Sequence, residues 1–184
     1  METQICRELQ PFNYIIYAGR VRPIYKNMRS LLLAFNNLSS KYKNLKLVIV
    51  HSDSFNSDDE DLVRKLDSRV ISIRNVSKLE LKYLYENSVC MVYPSLYEGF
   101  GSPILEAQNS GTPVIAYNKK PMTEVGGVGA VYFDGKISDL IERITVFIED
   151  PTARKNIIIK GFNNAERFDW KTTAEKTLEA FNEQ

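Results

Sequence analysis

The stretch from Tyr93 to Pro113, YPSLYEGFGSPILEAQNSGTP, holds the residues best placed to do chemistry. Ser102 before Pro103 reads as a helix N-cap followed by N1, where the missing N–H of proline is no loss. Gly99 and Gly101 allow the backbone to approach a ligand closely. A helix that starts there offers free N–H groups and a partial positive charge, which together attract an anion. Glu98 lies before the glycines and Glu106 one turn into the helix. Carboxylates repel a phosphate, so they must serve other groups, and they accept hydrogen bonds from hydroxyls strongly. A phosphate in the middle with hydroxyl-bearing groups on both sides describes a nucleoside diphosphate joined to a sugar. Taken singly, a Glu in a short helix is an exposed surface residue and a Gly-x-Gly is a turn. After a strand and at a helix start, the combination is far more specific.

The elements around this stretch follow from hydrophobic periodicity. Strands are predicted over Tyr14–Ala18, Leu45–Val50, Val70–Ile73, Val89–Tyr93, Val114–Tyr117 and Ala130–Phe133. Helices are predicted over Asn27–Leu38, Asp58–Leu66, Pro103–Asn109, Ile137–Glu149, Thr152–Phe168 and Trp170–Asn182. Another runs from Ser77 to Glu86, with Ser77 as N-cap and Glu80 completing a capping box. Strands alternating with helices imply an α/β fold, a parallel sheet covered on both faces. Ligands then bind beyond the carboxyl ends of the strands. The segments to watch are therefore Gly19–Lys26, His51–Ser54, Arg74–Ser77, Ser95–Ser102 and Asn118–Gly129.

Composition narrows the class. The chain has 184 residues, 43% hydrophobic and 26% charged, which suits one ordered domain spanning 1–184 with a polar leader over 1–10. Lys and Arg total 24 against 23 Asp and Glu, so the basic excess of a nucleic-acid binder is missing. Lys41, Lys43 and Lys46 read as a solvated face; a weak contact with an anionic membrane stays open. Cys6 and Cys90 are two lone cysteines, which points to a reducing compartment. No apolar run approaches the ~20 residues of a membrane span, and the leader has no signal-peptide core. The expectation is a cytoplasmic protein, with the inner face of the membrane as an alternative.

The residues from Glu98 to Glu106 resemble the E-x7-E motif of group-1, family-4 retaining glycosyltransferases, in the form Y-P-S-x-x-E-G-F-G-x-P-x-x-E-A. The likeness continues in S-G-T-P-V, in Y-A-G-R…K-N upstream, and in T-E-V-G-G and A-x-x-F-x-W downstream. The resemblance implies the C-terminal, donor-binding half of a GT-B enzyme. That half has a Rossmann-like parallel sheet with helices on both faces, and the N-terminal acceptor domain is expected to be the missing partner. It places Glu98 beside the transferred sugar and Glu106 on the ribose. Backbone groups of Phe100, Gly101, Ser102, Pro103 and Ile104 line sugar and phosphate, and Gly19 belongs to the same pocket. Asn75, Val76 and Ser77 face the base. Lys26 fills the place of a diphosphate-clamping lysine. Arg20 and Arg22 compete for the arginine: Arg20 directly follows Gly19, while Arg22 stands four before Lys26 and is slightly favoured.

Arg, Lys and helix N–H groups stabilise a departing diphosphate without reorganising, so no metal and no cofactor are expected. On these assignments, removal of Glu106 weakens free nucleotide binding and removal of Glu98 spares it. The donor is a nucleoside-diphosphate sugar, the acceptor is unidentified, and polysaccharide or glycoconjugate synthesis is the implied setting. The isolated chain is expected to transfer sugar poorly or not at all. His51 departs from the glycine usual in the family, and its expected place is an innocent strand end. The helix over 170–184 resembles a closing helix, and its Ala174, Leu178 and Phe181 suggest self-association as one possibility.

Two rivals remain. A dinucleotide-binding oxidoreductase would want glycine where Ile104 stands and an acidic residue about twenty positions on. A non-catalytic nucleotide-binding or interaction module with the same fold is the stronger alternative.

Overall fold

The computed structural model describes Leu9 and residues 13–182. Six strands form one parallel sheet in the order β3-β2-β1-β4-β5-β6. They are β1 (Asn13–Ala18), β2 (Leu45–Val50), β3 (Val70–Ile73), β4 (Cys90–Tyr93), β5 (Val114–Tyr117) and β6 (Ala130–Phe133). Around them lie α1 (Met28–Lys41), α2 (Ser57–Leu66), α3 (Lys78–Glu86) and α4 (Ser102–Asn109). The remaining helices are α5 (Met122–Gly126), α6 (Ile137–Glu149), α7 (Pro151–Ala165) and α8 (Trp170–Asn182). Strand order reverses between β1 and β4, so the switch point lies at their carboxyl ends. This is the expected Rossmann-like sheet.

Alternation along β1 sorts the two faces. Ile15 and Tyr17 join α1, α2 and α6 through Leu31, Phe35, Leu66, Ile144 and Phe147. Tyr14 and Ile16 join α3, α4 and α5 through Leu84, Ile104, Ala107, Met122 and Val125. A parallel sheet has no solvent face, which is why β1, β2 and β4 are nearly continuous apolar runs. Most of the residues named here are fully buried, and each buried Leu, Ile or Phe contributes roughly 1.5–3 kcal/mol.

Several local expectations are corrected. The helix expected from Asn27 begins at Met28, because Asn27 takes a left-handed φ of 54° after a 3-10 turn over Ile24–Lys26. Ser102 is not the N-cap of α4. Gly101 is, at φ 103°, so the chain turns into the helix one residue early on a conformation that favours glycine. The loop expected over Asn118–Gly129 contains α5 and a 3-10 turn, Gly127–Gly129. A Cβ on Gly129 would come within 2.7 Å of the Gly161 Cα, so this turn packs directly against α7. α7 stops at Ala165 rather than Phe168. Within the expected polar leader, Leu9 is helical and 3% exposed, packed into the α3–α5 face of the core. The rest of the leader, like residues 183–184, lies outside the described residues.

Candidate active site

A cleft of about 400 Å³ opens at the carboxyl ends of β1, β2 and β3. Gly19, Arg20, Asn75, Val76, Pro103 and Glu106 line it, joined by Ala18, Val50, His51, Ser52 and Leu81. Its far wall is the start of α4. No side chain caps that helix; Pro103 has no N–H and the Ile104 amide already donates to the Gly101 carbonyl at 2.9 Å, so it is the Ser102 amide that is left to face an anion. Asn75 turns the chain after β3 at φ 58°. Two residues later Ser77 caps α3: its hydroxyl accepts from the Glu80 amide, while the Glu80 carboxylate accepts from the Ser77 amide at 2.8 Å. The capping box thus acts in the fold, and Ser77 itself does not line the cleft.

Glu106 is exposed, and its carboxylate has no hydrogen-bond or salt-bridge partner among the described residues. Desolvation in the cleft wall pushes its pKa up, and Lys78 offsets part of that shift. α4 itself is held rigidly. Gln108 and Asn164 are each 1% exposed, and Asn164 Nδ2 donates to Gln108 Oε1 and to the Val125 carbonyl, both at 2.8 Å. Gln108 Nε2 in turn donates to the Gly126 carbonyl at 3.0 Å. This fully buried amide pair ties α4 to α5 and α7.

Lys26 and Glu98 do not line the same cleft. They meet at the β1–β4 end, where Lys26 Nζ lies 2.6 Å from Glu98 Oε1 with both side chains about nine-tenths buried. The Lys26 ammonium also stands 5.5 Å from the Tyr25 ring and 5.9 Å from that of Tyr93. The Tyr93 hydroxyl is hydrogen-bonded to Glu98, and burial raises the Tyr93 pKa further than that carboxylate does. Two hydrogen bonds stitch the two loops together: the Leu96 amide donates to the Tyr25 carbonyl at 2.7 Å, and Asn27 Nδ2 donates to the Pro94 carbonyl at 3.2 Å. Burial pushes up the pKa of Tyr17, which packs beneath Gly19, and the nearby charges of Glu98 and Asp53 push it further.

Asp53 was not singled out in the sequence. It receives the Val21 amide at 2.7 Å, the Arg22 amide at 3.3 Å and Arg20 Nε at 3.3 Å. Burial raises its pKa, but these donors outweigh that and hold it below the usual carboxylate range. An acidic residue in the loop after β2 was the available signal. Of the two arginines, Arg20 borders the cleft and Arg22 does not; the Arg22 guanidinium has no ion-pair partner among the described residues.

His51 is 5% exposed and its ring lies 5.0 Å from that of Phe55. Nδ1 lies 2.5 Å from the Asp53 carbonyl, which can only accept, so Nδ1 carries the proton. In the neutral ring Nε2 then accepts from Ser72 Oγ at 2.6 Å. Burial lowers the His51 pKa. The residue braces the β2–β3 rim as well as lining the cleft, more than an innocent strand end.

Elsewhere, Phe100 packs edge-on against Phe168 at 5.9 Å, and the Ile104 side chain is fully buried in the core. Among the described residues no three His, Cys, Asp or Glu side chains gather as a metal-binding group, and no helix is long and apolar enough to cross a membrane.

A six-stranded parallel sheet in this order, with helices on both faces, is the Rossmann-like half of a GT-B fold. The family model described as glycosyl transferases group 1 matches residues 6–164, and the chain belongs to that family. It is 30% identical over 175 residues to O-antigen chain mannosyltransferase B of Escherichia coli, covering 91% of this chain and 45% of that protein. The chain thus spans about half the length of this curated relative. Among solved structures, sucrose-phosphate synthase from Thermosynechococcus elongatus superposes with a TM-score of 0.81 at 22% identity, covering 94% of this chain and 45% of that one. HepE of Anabaena in complex with UDP and glucose superposes with a TM-score of 0.77 at 20% identity, covering 98% and 52%.

Proposed function

We propose that the chain binds a nucleoside-diphosphate sugar and, with an acceptor-binding domain, transfers the sugar with retention of configuration and without a metal. The observation that carries this reading is the gathering of cations, an uncapped helix start and two differently placed glutamates at the sheet's switch point. Glu106 accepts from the ribose hydroxyls. Asn75 and Val76 border the base. The start of α4, Lys26 and one arginine hold the diphosphate. Arg20 is the better arginine, because it borders the cleft and Asp53 already orients it. As the bond between the sugar and the diphosphate breaks, its electron pair stays on the diphosphate, and these fixed charges stabilise it there. Glu98 faces the sugar hydroxyls. The likeness to a protein named for mannosyl transfer to an O-antigen chain, and to one solved with UDP and glucose, supports a role in polysaccharide or glycoconjugate synthesis.

A thermal-shift titration with UDP, GDP, ADP and NAD, each with and without EDTA, tests the donor site. Binding to the folded chain raises its melting temperature by mass action. A rise with one nucleoside diphosphate is expected; a rise that EDTA abolishes would overturn metal independence, and a rise with NAD alone would overturn the donor class. A second reading is a nucleotide-binding module of the same fold that does not itself transfer sugar. Donor binding without transfer to any glycan acceptor would support it.

A further inference from the structure

The Lys26–Glu98 pair creates a conflict for the ligand. A diphosphate needs the Lys26 ammonium, yet that ammonium is already neutralised by a carboxylate at 2.6 Å, flanked by Tyr25 and Tyr93 and sheltered from water. The pairing is built in, since hydrogen bonds from the Leu96 amide and the Asn27 side chain fix the two loops against each other. A bare diphosphate arriving here must compete with Glu98 for one cation and is repelled by the carboxylate it displaces. A diphosphate bearing a sugar brings hydroxyl donors that replace the ammonium as partners of Glu98.

We propose that Glu98 is an exchangeable counter-ion of Lys26, and that this exchange makes the site favour a nucleotide sugar over the bare nucleoside diphosphate. This rests on the donor-binding reading above and adds a specificity-determining role. In the empty site Glu98 holds Lys26. On donor binding Lys26 passes to the diphosphate and Glu98 to the sugar. Once the sugar has left, Glu98 loses the sugar's hydroxyls, keeps only that of Tyr93 and reclaims Lys26, which promotes release of the nucleoside diphosphate.

The test is calorimetric titration of the chain and of its Glu98→Gln variant with UDP, GDP and ADP, each beside UDP-glucose, GDP-mannose and ADP-glucose. Glutamine keeps the shape and removes the competing charge. The expected result is roughly tenfold tighter binding of the bare diphosphate by the variant, with no gain for the sugar conjugate, so that the preference for the conjugate collapses. The gain should shrink as salt screens the charges. Wild-type binding with equal or weaker diphosphate binding by Glu98→Gln overturns the exchange and leaves the donor site standing. No binding of any nucleotide by either protein overturns the donor reading and the exchange with it. Lys26→Gln is the second variant: it should weaken both ligand classes, and unchanged binding would also overturn the exchange.

Discussion

Glu98 and Glu106 belong to one loop-and-helix unit, yet they stand in opposite circumstances. Glu98 is about nine-tenths buried, paired with Lys26 and hydrogen-bonded by Tyr93. Glu106 is exposed, without a hydrogen-bond or salt-bridge partner among the described residues, and its pKa is raised by desolvation. The closed end satisfies its own charges; the open end leaves a carboxylate without a partner among the described residues. Two identical residues are thus given different environments, and on the proposed function different jobs. Changes at the closed end should cost stability, and changes at the open end should cost affinity.

The largest effect on that contrast is expected from Lys26→Met. It strands a carboxylate among Tyr93 and the β1–β4 loops, and breaking one partner of such a buried pair costs about 3 kcal/mol. Urea denaturation should show the loss, and the double variant with Glu98→Gln should recover most of it; additive losses would mean that the pair is not coupled. Glu106→Ala is expected to do the reverse: unfolding stability unchanged within about 0.5 kcal/mol, with nucleoside diphosphate affinity weaker by roughly tenfold if its hydrogen bonds to the ribose are charge-assisted. Equal losses of stability in both variants would erase the distinction between the two ends.

Asp53→Asn is a smaller perturbation. It keeps an acceptor for the Val21 amide but loses the charge that holds Arg20, so stability should fall by about 1 kcal/mol and nucleotide affinity by a few-fold. Unchanged affinity would show that Arg20 is not oriented for the ligand. The smallest expected effect is the pH dependence of His51. Its folded-state pKa lies below the 6.5 of an unperturbed histidine. Between the two values the unfolded chain binds more protons, so stability rises with pH there and is lost as pH falls below about 6.5. His51→Gln should flatten that slope in melting curves taken from pH 5 to pH 7.5.

The sheet, its strand positions and its helices were legible because buried parallel strands are short apolar runs and their crossovers are amphipathic. The Ser77 capping box was legible because it is local. The α4 start was misplaced by one residue because Ser-Pro is a common N-terminal signature, and only the backbone angle of Gly101 shows that the turn precedes it. The Lys26–Glu98 pair joins residues 72 apart in sequence, and Asp53 reaches back 32 residues to Val21. Contacts of that range depend on which strands are neighbours, which no local pattern reports. The short α5 and its following turn escaped for a related reason: Gly126, Gly127 and Gly129 look like a loop, but they are small because Tyr132, Asn164 and α7 press against them.

α8 carries a consequence of a different kind. None of its thirteen residues is buried among those described, and Trp170 at its first position is 89% exposed. A helix of that length with no buried residue sits near the limit of stability in water. Trp170 is also the chain's single tryptophan. Intrinsic tryptophan fluorescence of this protein therefore reports on α8 and on whatever covers it rather than on the sheet.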